Sequence, residues 1–187
     1  RDYTYEEYLR RFSVVFQDFQ LLALPLGENV AGSKDYDAAR VEECLEKAGF
    51  GTRLGRMKNG LSTFLYRNMD QEGVEVSGGE AQKIALARAL YKDAPIVVLD
   101  EPTAALDPVS EHEIYSGFRR LVGGRTAIFI SHRLSSCRFC DEILVFHQGK
   151  LVQRGSHEEL VSREDGLYAA MWQAQAQYYE KESLAEG

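Results

Sequence analysis

Apolar, strand-like runs alternate with helical segments in the second half of the chain, and this alternation constrains the fold more than any other feature. IVVLDE, residues 96–101, and TAIFISH, residues 126–132, are short runs rich in β-branched residues. Between them, Asp107 and Pro108 supply an N-cap and a first-turn proline for a helix. Strands that alternate with helices favour a parallel sheet. We therefore expect an α/β fold in which both runs are buried strands.

The first half of the chain is predicted to be mostly helical after one early strand. Thr4 with Glu7 forms a capping-box pattern, which marks a helix start. Helical periodicity places Ala38, Val41, Leu45 and Ala48 on one face. The predicted elements are a helix at 4–11, the strand FSVVFQ at 12–17, a turn of helix at 27–31, and helices at 35–48 and 77–91.

The C-terminal segment predicts a hairpin followed by two helices. Residues 142–155 alternate around Gln148 and Gly149, a pair that favours a tight turn. Ser156 and Glu159 repeat the capping-box pattern, and a last helix is expected over 165–182.

Charge and composition exclude several classes of protein. The net charge of -7 argues against a domain that wraps nucleic acid, because such surfaces are normally basic. Apolar runs such as 96–99 are too short to cross a bilayer, so we expect a soluble chain. Three cysteines, an odd number, suit a reducing cytosol. Cys137 and Cys140 lack two further ligands at suitable spacing, and no zinc site is predicted.

Three predicted strands end in side chains that can do chemistry: Gln17, Asp100 with Glu101, and His132. In open parallel sheets the ligand sits at the carboxyl ends of the strands, so these ends are expected to converge on one cleft. A buried strand that delivers two adjacent acids places their side chains on opposite faces, so we expect the two acids to have different roles. One acid could then hold Mg²⁺ and the other could orient or deprotonate a water. The plain alternatives are a strand that ends in acids before Pro102 and a histidine that serves only as a surface residue.

The stretch VSGGE, residues 76–80, precedes an alanine-rich helical run. Ser77 and Glu80 fit a capping box, which would need no function beyond satisfying the first amides of the helix. Gly78 and Gly79 change this interpretation, because glycine is unfavourable in a helix and permits close approach of a ligand to the backbone. Free amides at a helix start bind phosphate. The pattern therefore favours an anion site.

Taken in order, these motifs resemble the nucleotide-binding domain of an ATP-binding cassette (ABC) transporter. VSGGE resembles the signature motif, and IVVLDEPTAALDP resembles the Walker B segment with its catalytic glutamate and D-loop. ISHRLS resembles the switch-histidine segment, and FSVVFQ resembles the Q-loop. The ISHRLS form and the segment LPLGENVAG are similar to those of exporters. The resemblance implies a P-loop NTPase (RecA-like) cassette core, formed by residues 1–33 and 92–187, with an inserted helical subdomain at 34–91.

The resemblance also implies a role for each matching residue. Asp100 and Gln17 would serve a Mg²⁺ site, partly through water, and Gln17 would also sense the transmembrane partner. Glu101 would be the base or water-positioning residue, and His132 would contact the γ-phosphate. Asp107 would report across a cassette dimer. The residues that would close on ATP held by the facing cassette are Ser77, Gly78, Gly79 and Glu80.

Three departures from the family pattern stand out. Val76 and Glu80 replace the commoner Leu and Gln of the signature, and Asp70-Gln71-Glu72-Gly73 differs from the exporter cross-talk loop. No G-x-x-x-x-G-K-[ST] phosphate loop occurs in the 187 residues, so the chain resembles a cassette that is incomplete at its N-terminus. A strand upstream of that loop would separate TAIFISH from EILVF in the family. We therefore expect those two strands not to pair here.

The implied partners are ATP, Mg²⁺, a second cassette in a homo- or heterodimer, and the transmembrane domains of an exporter, at the cytoplasmic face of the cell membrane. On its own, the chain is expected neither to bind ATP tightly nor to hydrolyse it. Two alternatives stay open at this point. One is a non-transport cassette ATPase of the translation-factor or DNA-repair type, and the other is a non-catalytic interaction fragment.

Overall fold

Three parallel strands form the sheet that organises the first part of the molecule. A computed structural model describes residues 3–102 and 122–185, with side chains as far as residue 177. The strands are β1 (Phe12–Val15), β2 (Ile96–Asp100) and β3 (Thr126–Ile130), in the order β1-β2-β3. All three run parallel, with Val15 opposite Leu99 and Leu99 opposite Phe129. The predicted α/β class with a parallel sheet is confirmed.

The chain divides into two compact units, residues 1–130 and 131–187. The predicted subdomains, with 34–91 set apart from the rest, follow a different division and stay a prediction. The helix expected after Asp107 lies outside the described residues. Within 3–102 and 122–185, no helix is both long and apolar enough to cross a membrane.

Five α-helices accompany the sheet in the described part of the first unit, together with a short 3-10 helix, Gly60–Ser62. They are α1 (Tyr5–Arg10), α2 (Leu26–Ala31), α3 (Ala38–Lys47), α4 (Gly51–Leu54) and α5 (Gly78–Lys92). Val41, Leu45 and Ala48 are buried in the core, as the periodicity predicts. Ala38 is exposed instead, because Asp37 caps the helix and Ala38 is its first residue. The core joins α2, α3, α5, β1 and β2 through residues such as Leu26, Val30, Ile84 and Leu99.

β3 differs from its prediction as a buried strand. Ile128 and Ile130 are 48% and 50% exposed, whereas Val97 and Leu99 of β2 are almost fully buried. The difference follows from position, since β2 lies between two strands and β3 stands at an edge of the described sheet. The described strands after residue 140 belong to a separate sheet. TAIFISH and EILVF fall mainly in different units, and their expected lack of pairing stays a prediction.

The second unit is built on an antiparallel hairpin. β4 (Ile143–His147) pairs with β5 (Lys150–Gly155), and the turn has positive φ at Gln148 (48°) and Gly149 (74°). Two successive left-handed residues are typical of a type I′ turn, whose twist matches that of the strands. The described helices of this unit are α6 (Leu134–Cys137), α7 (His157–Val161) and α8 (Leu167–Ala185). Their core contains Leu134, Ile143, Val145, Leu160 and Tyr168.

Candidate nucleotide site

The start of α5 is a well-formed helix cap that leaves polar groups available for a ligand. The Ser77 hydroxyl accepts a hydrogen bond from the Glu80 amide at 3.2 Å, and the Glu80 carboxylate accepts one from the Ser77 amide at 2.9 Å. The predicted capping box is therefore present. The hydroxyl hydrogen of Ser77 can still donate, and the amides of Gly78 and Gly79 have no acceptor within the helix. Ser77 and Gly78 are exposed, and Gly79 is half-buried.

Glu80 has a second partner that the sequence did not reveal. Arg53 of α4 places Nε 3.0 Å from Oε1 of Glu80, while the other carboxylate oxygen serves the cap. The Arg53 N–H is not aligned on the oxygen, so the two groups meet as an ion pair. Both side chains are partly exposed. The carboxylate at the start of α5 is thus accompanied by a compensating positive charge.

The end of β2 presents the two acids in different backbone conformations. Asp100 is the last residue of the strand and is half-buried. Glu101 lies outside the strand and has φ of 47°. Strand alternation therefore does not set the direction of its side chain. The prediction that the two acids lie on opposite faces of one strand was wrong, because the strand ends at Asp100. A left-handed non-glycine residue costs on the order of 1–3 kcal/mol, and such residues cluster at functional sites.

The backbone of Glu101 is held on both sides. Its amide donates to the carbonyl of Ile130 at 2.9 Å, which continues the pairing of β2 with β3. Its carbonyl accepts from Nε2 of Gln82 at 3.1 Å. Gln82 lies on α5, one turn past the cap, and is 5% exposed. Sequence reasoning did not identify Gln82; its signal is a polar residue among the buried alanines and leucines of α5.

Gln17 follows β1 by two residues and is exposed. β1 and β2 are parallel neighbours, so their carboxyl ends lie at the same edge of the sheet. Gln17 follows the end of β1 at this edge, and Asp100 is the last residue of β2 there. The loop after Gln17 is fixed by Asn29 of α2, whose side chain bonds the amide and carbonyl of Leu22 and the carbonyl of Leu24 at 2.9, 2.9 and 3.0 Å. Sequence reasoning did not identify Asn29.

Arg88 connects this loop to α5. Its Nε donates to the Asn29 carbonyl at 2.7 Å, and a terminal nitrogen donates to the Gln20 carbonyl at 3.4 Å. Burial lowers the pKa of the Arg88 guanidinium from its ordinary value, since the charged form loses water. The helix that begins with VSGGE is therefore tied to the loop that follows Gln17.

His132 belongs to the second unit and is exposed there. Its carbonyl accepts from the side-chain amide of Gln175 at 2.6 Å, and the oxygen of the same side chain accepts from the Leu134 amide at 2.9 Å. Gln175 of α8 thereby holds residues 132–134 from both ends. Asp107, the remaining predicted site residue, lies outside the described residues.

A family model described as "ABC transporter" matches residues 1–104. An ATP-dependent lipid A-core flippase of Burkholderia orbicola is 42% identical over 94% of this chain and 29% of its own length. This chain belongs to the ABC transporter family. ABC transporter B family member 14 of Arabidopsis thaliana is 38% identical over 85% of this ABC transporter chain and 12% of its own length.

A solved structure of a bacterial Atm1-family ABC exporter with ATP bound resembles this ABC transporter chain, with a TM-score of 0.81 and 38% identity. The similarity covers 91% of the chain and 30% of the exporter chain. The chain spans less than a third of the length of these relatives. The predicted cassette fold is confirmed, because the chain matches the ABC transporter family model and also resembles the solved exporter structure.

Proposed function

We propose that this ABC transporter chain is the ATP-binding and ATP-hydrolysing domain of an exporter, in which two cassettes close on ATP and thereby power transport across a membrane. The observation that carries the proposal is the parallel β1-β2 pair, which brings the Gln17 segment and the Asp100-Glu101 acids to one edge of the sheet. The similarity to a flippase and to an ATP-bound exporter supports the same function.

The binding role belongs to the start of α5. Ser77, Gly78 and Gly79 offer a hydroxyl and two backbone amides at the positive end of a helix dipole, where phosphate binds well. Glu80 holds this cap in shape through its bond to the Ser77 amide. These groups would contact the ATP carried by a facing cassette, which makes the site incomplete in one copy.

The hydrolytic role belongs to the carboxylate of Glu101, which would accept a proton from the attacking water or hold that water in line. His132 would donate a hydrogen bond to the γ-phosphate, and Asp107 would contact the facing cassette. Preorganisation of such groups, with little movement during the reaction, accounts for much of the rate of phosphoryl transfer.

Asp100 and Gln17 would hold Mg²⁺, partly through water. The chemistry of the donors fits the ion, because a carboxylate and an amide oxygen are hard ligands and follow neighbouring parallel strands. Bound Mg²⁺ would neutralise negative charge on the phosphates. Asp100 is half-buried at the end of β2, so part of the residue remains exposed.

The partners in this proposal are a second cassette, the same or different, and the transmembrane domains of the exporter, with the cassette at the cytoplasmic face. Gln17 and the loop that Asn29 holds would respond to the transmembrane domains. The translation-factor, DNA-repair and interaction-fragment alternatives are not favoured, since the named relatives are a flippase, an ABC transporter and an exporter.

Glu101→Gln in the full-length protein that carries this chain tests the proposal. Loss of a general base costs about 10²- to 10⁴-fold in rate, so turnover should nearly vanish while ATP still binds. Glu43→Gln is the matched control, because Glu43 is an exposed residue of α3 paired only with Lys47 among the ion pairs of the described side chains. Turnover at the wild-type rate in Glu101→Gln would reject the role of Glu101.

A further inference from the structure

The backbone conformation of Glu101 needs support from its surroundings. Its φ of 47° is unfavourable for a residue with a side chain, and the following Pro102 further restricts it. A residue in such a conformation persists when neighbouring groups over-determine it. The amide of Glu101 is fixed by β3, but an amide bond alone leaves the orientation of the next peptide plane open.

Gln82 supplies the second constraint. Its Nε2 lies 3.1 Å from the carbonyl oxygen of Glu101, and its side chain is buried between α5 and the end of β2. Burying a side-chain amide without a hydrogen-bond partner is costly, so the bond to the Glu101 carbonyl favours this position of the Gln82 side chain. Through this bond α5 contacts the peptide that follows Asp100. The contact joins residues 19 positions apart, so it is a tertiary contact rather than a local one.

We propose that Gln82 is a positioning residue for ATP hydrolysis. It fixes the carbonyl of Glu101, and so the left-handed backbone from which the Glu101 carboxylate reaches the attacking water. The inference rests on the proposed role of Glu101 and deepens it. It also links two motifs within one cassette, because the helix that begins with Ser77, Gly78 and Gly79 carries the group that holds the base.

Gln82→Met in the full-length protein is the first test. Methionine has similar volume and flexibility but cannot donate, so the core stays filled while the bond to Glu101 is lost. Small displacements of a catalytic group are costly, and kcat should fall about 10- to 100-fold. The KM for ATP and the equilibrium affinity for a fluorescent ATP analogue should change less than about twofold, because the phosphate contacts are untouched.

Ser13→Ala is the matched control. Ser13 of β1 is 1% exposed and donates from Oγ to the Ala89 carbonyl of α5 at 2.7 Å. The variant removes a buried side-chain bond to the same helix without touching Glu101. Its kcat should stay within about twofold of wild type. An equal loss of kcat in Ser13→Ala and Gln82→Met would overturn the proposal, since general loosening of α5 would then explain both.

Two further variants separate positioning from stability. In a Glu101→Gln background, adding Gln82→Met should lower the residual rate less than about twofold, because residues that act as a unit are not additive. Gln82→Glu keeps the shape but presents an acceptor to the carbonyl, so its kcat should fall at pH 8 and recover relative to wild type as acid protonates it. Gln82→Glu that keeps the wild-type kcat across the whole range from about pH 6 to about pH 10 would overturn the donor role, even if the methionine variant failed to fold, because a buried carboxyl can stay protonated, and so keep donating, to about pH 8–9.

The wild-type measurement distinguishes the two levels of inference. Full-length protein that binds ATP but never hydrolyses it would overturn the proposed function and this inference together. Full-length protein that hydrolyses ATP, with Gln82→Met equally fast, would overturn the role of Gln82 alone.

Discussion

The guanidinium of Arg53 lies 3.0 Å from the carboxylate of Glu80, at the position where this chain departs from the commoner signature sequence. The departure replaces a neutral amide by a negative charge beside amides that are proposed to meet ATP. Arg53 cancels that charge locally. The pair stands partly in solvent, so its effect is moderated by screening.

Arg53→Ala is expected to raise the ATP concentration needed for half-maximal turnover of the full-length protein by about three- to tenfold, because the carboxylate then repels phosphate unopposed. Glu80→Gln should lower that concentration, since Arg53 then attracts phosphate alone. The double variant should return close to wild type. Steady-state ATPase assays at two salt concentrations measure these values.

Salt is the control in this series. Raising ionic strength from about 0.1 M to about 1 M shortens the Debye length from about 10 Å to about 3 Å, so the difference between Arg53→Ala and wild type should shrink. Equal impairment of Arg53→Ala and the double variant, at both salt concentrations, would assign Arg53 a packing role only.

The isolated 187-residue chain is expected to bind Mg-ATP more weakly than about 1 mM. A helix start contributes about 0.3–1 kcal/mol toward an anion, whereas millimolar affinity needs about 4 kcal/mol, and the chain contains no G-x-x-x-x-G-K-[ST] loop. Isothermal titration calorimetry checks this. A micromolar dissociation constant would contradict it and would point to a nucleotide cradle elsewhere in these residues.

Asn29→Ala is expected to lower the free energy of unfolding of the isolated chain by about 2 kcal/mol, because the amide of Leu22 and the carbonyl of Leu24 lose a buried partner. Urea titration followed by circular dichroism measures the change. Asn68→Ala, at an exposed position, should change the stability by no more than about 0.5 kcal/mol. Similar effects of the two variants would show that the Asn29 contacts do not stabilise the fold.

Cys140 is expected to react slowly with iodoacetamide at pH 8. Burial raises the pKa of its thiol to about 11, so little of the reactive thiolate is present. In a Cys44→Ser/Cys137→Ser variant the rate should increase with each pH step toward 11, and unfolding in urea should accelerate it at constant pH. A native rate equal to that in urea would show that Cys140 is not protected by burial.

The local signals in the sequence were sufficient for the helix starts. All three predicted capping boxes, at Thr4, Ser77 and Ser156, are present, because each depends on side chains only three positions apart. The Gln148-Gly149 turn was predictable for the same reason. The common edge reached by β1 and β2 followed from parallel pairing, which strand-helix alternation indicates.

Contacts between distant positions were beyond the sequence. Arg53 and Gln82 meet the predicted site through packing of α4 and α5, and neither has a spacing pattern that marks its partner. The exposure of Ile128 also depends on which strands stand beside β3, since an apolar run has the same sequence at an edge as in the centre of a sheet. The bend at Glu101 is set by bonds from two other elements.

Helix α5 is a continuous, rigid helix that connects three parts of the proposed site. It contains neither glycine nor proline after Gly79, and about 15 Å of helix separates Gly78 from Arg88 at 1.5 Å per residue. The N-terminal end of α5 offers amides to a phosphate. Gln82 donates to the Glu101 carbonyl, and Arg88 donates to the carbonyls of Gln20 and Asn29. A rigid-body tilt of α5 would therefore move its N-terminal amides, Gln82 and Arg88 together. A displacement at one end of the helix would be transmitted to the other end.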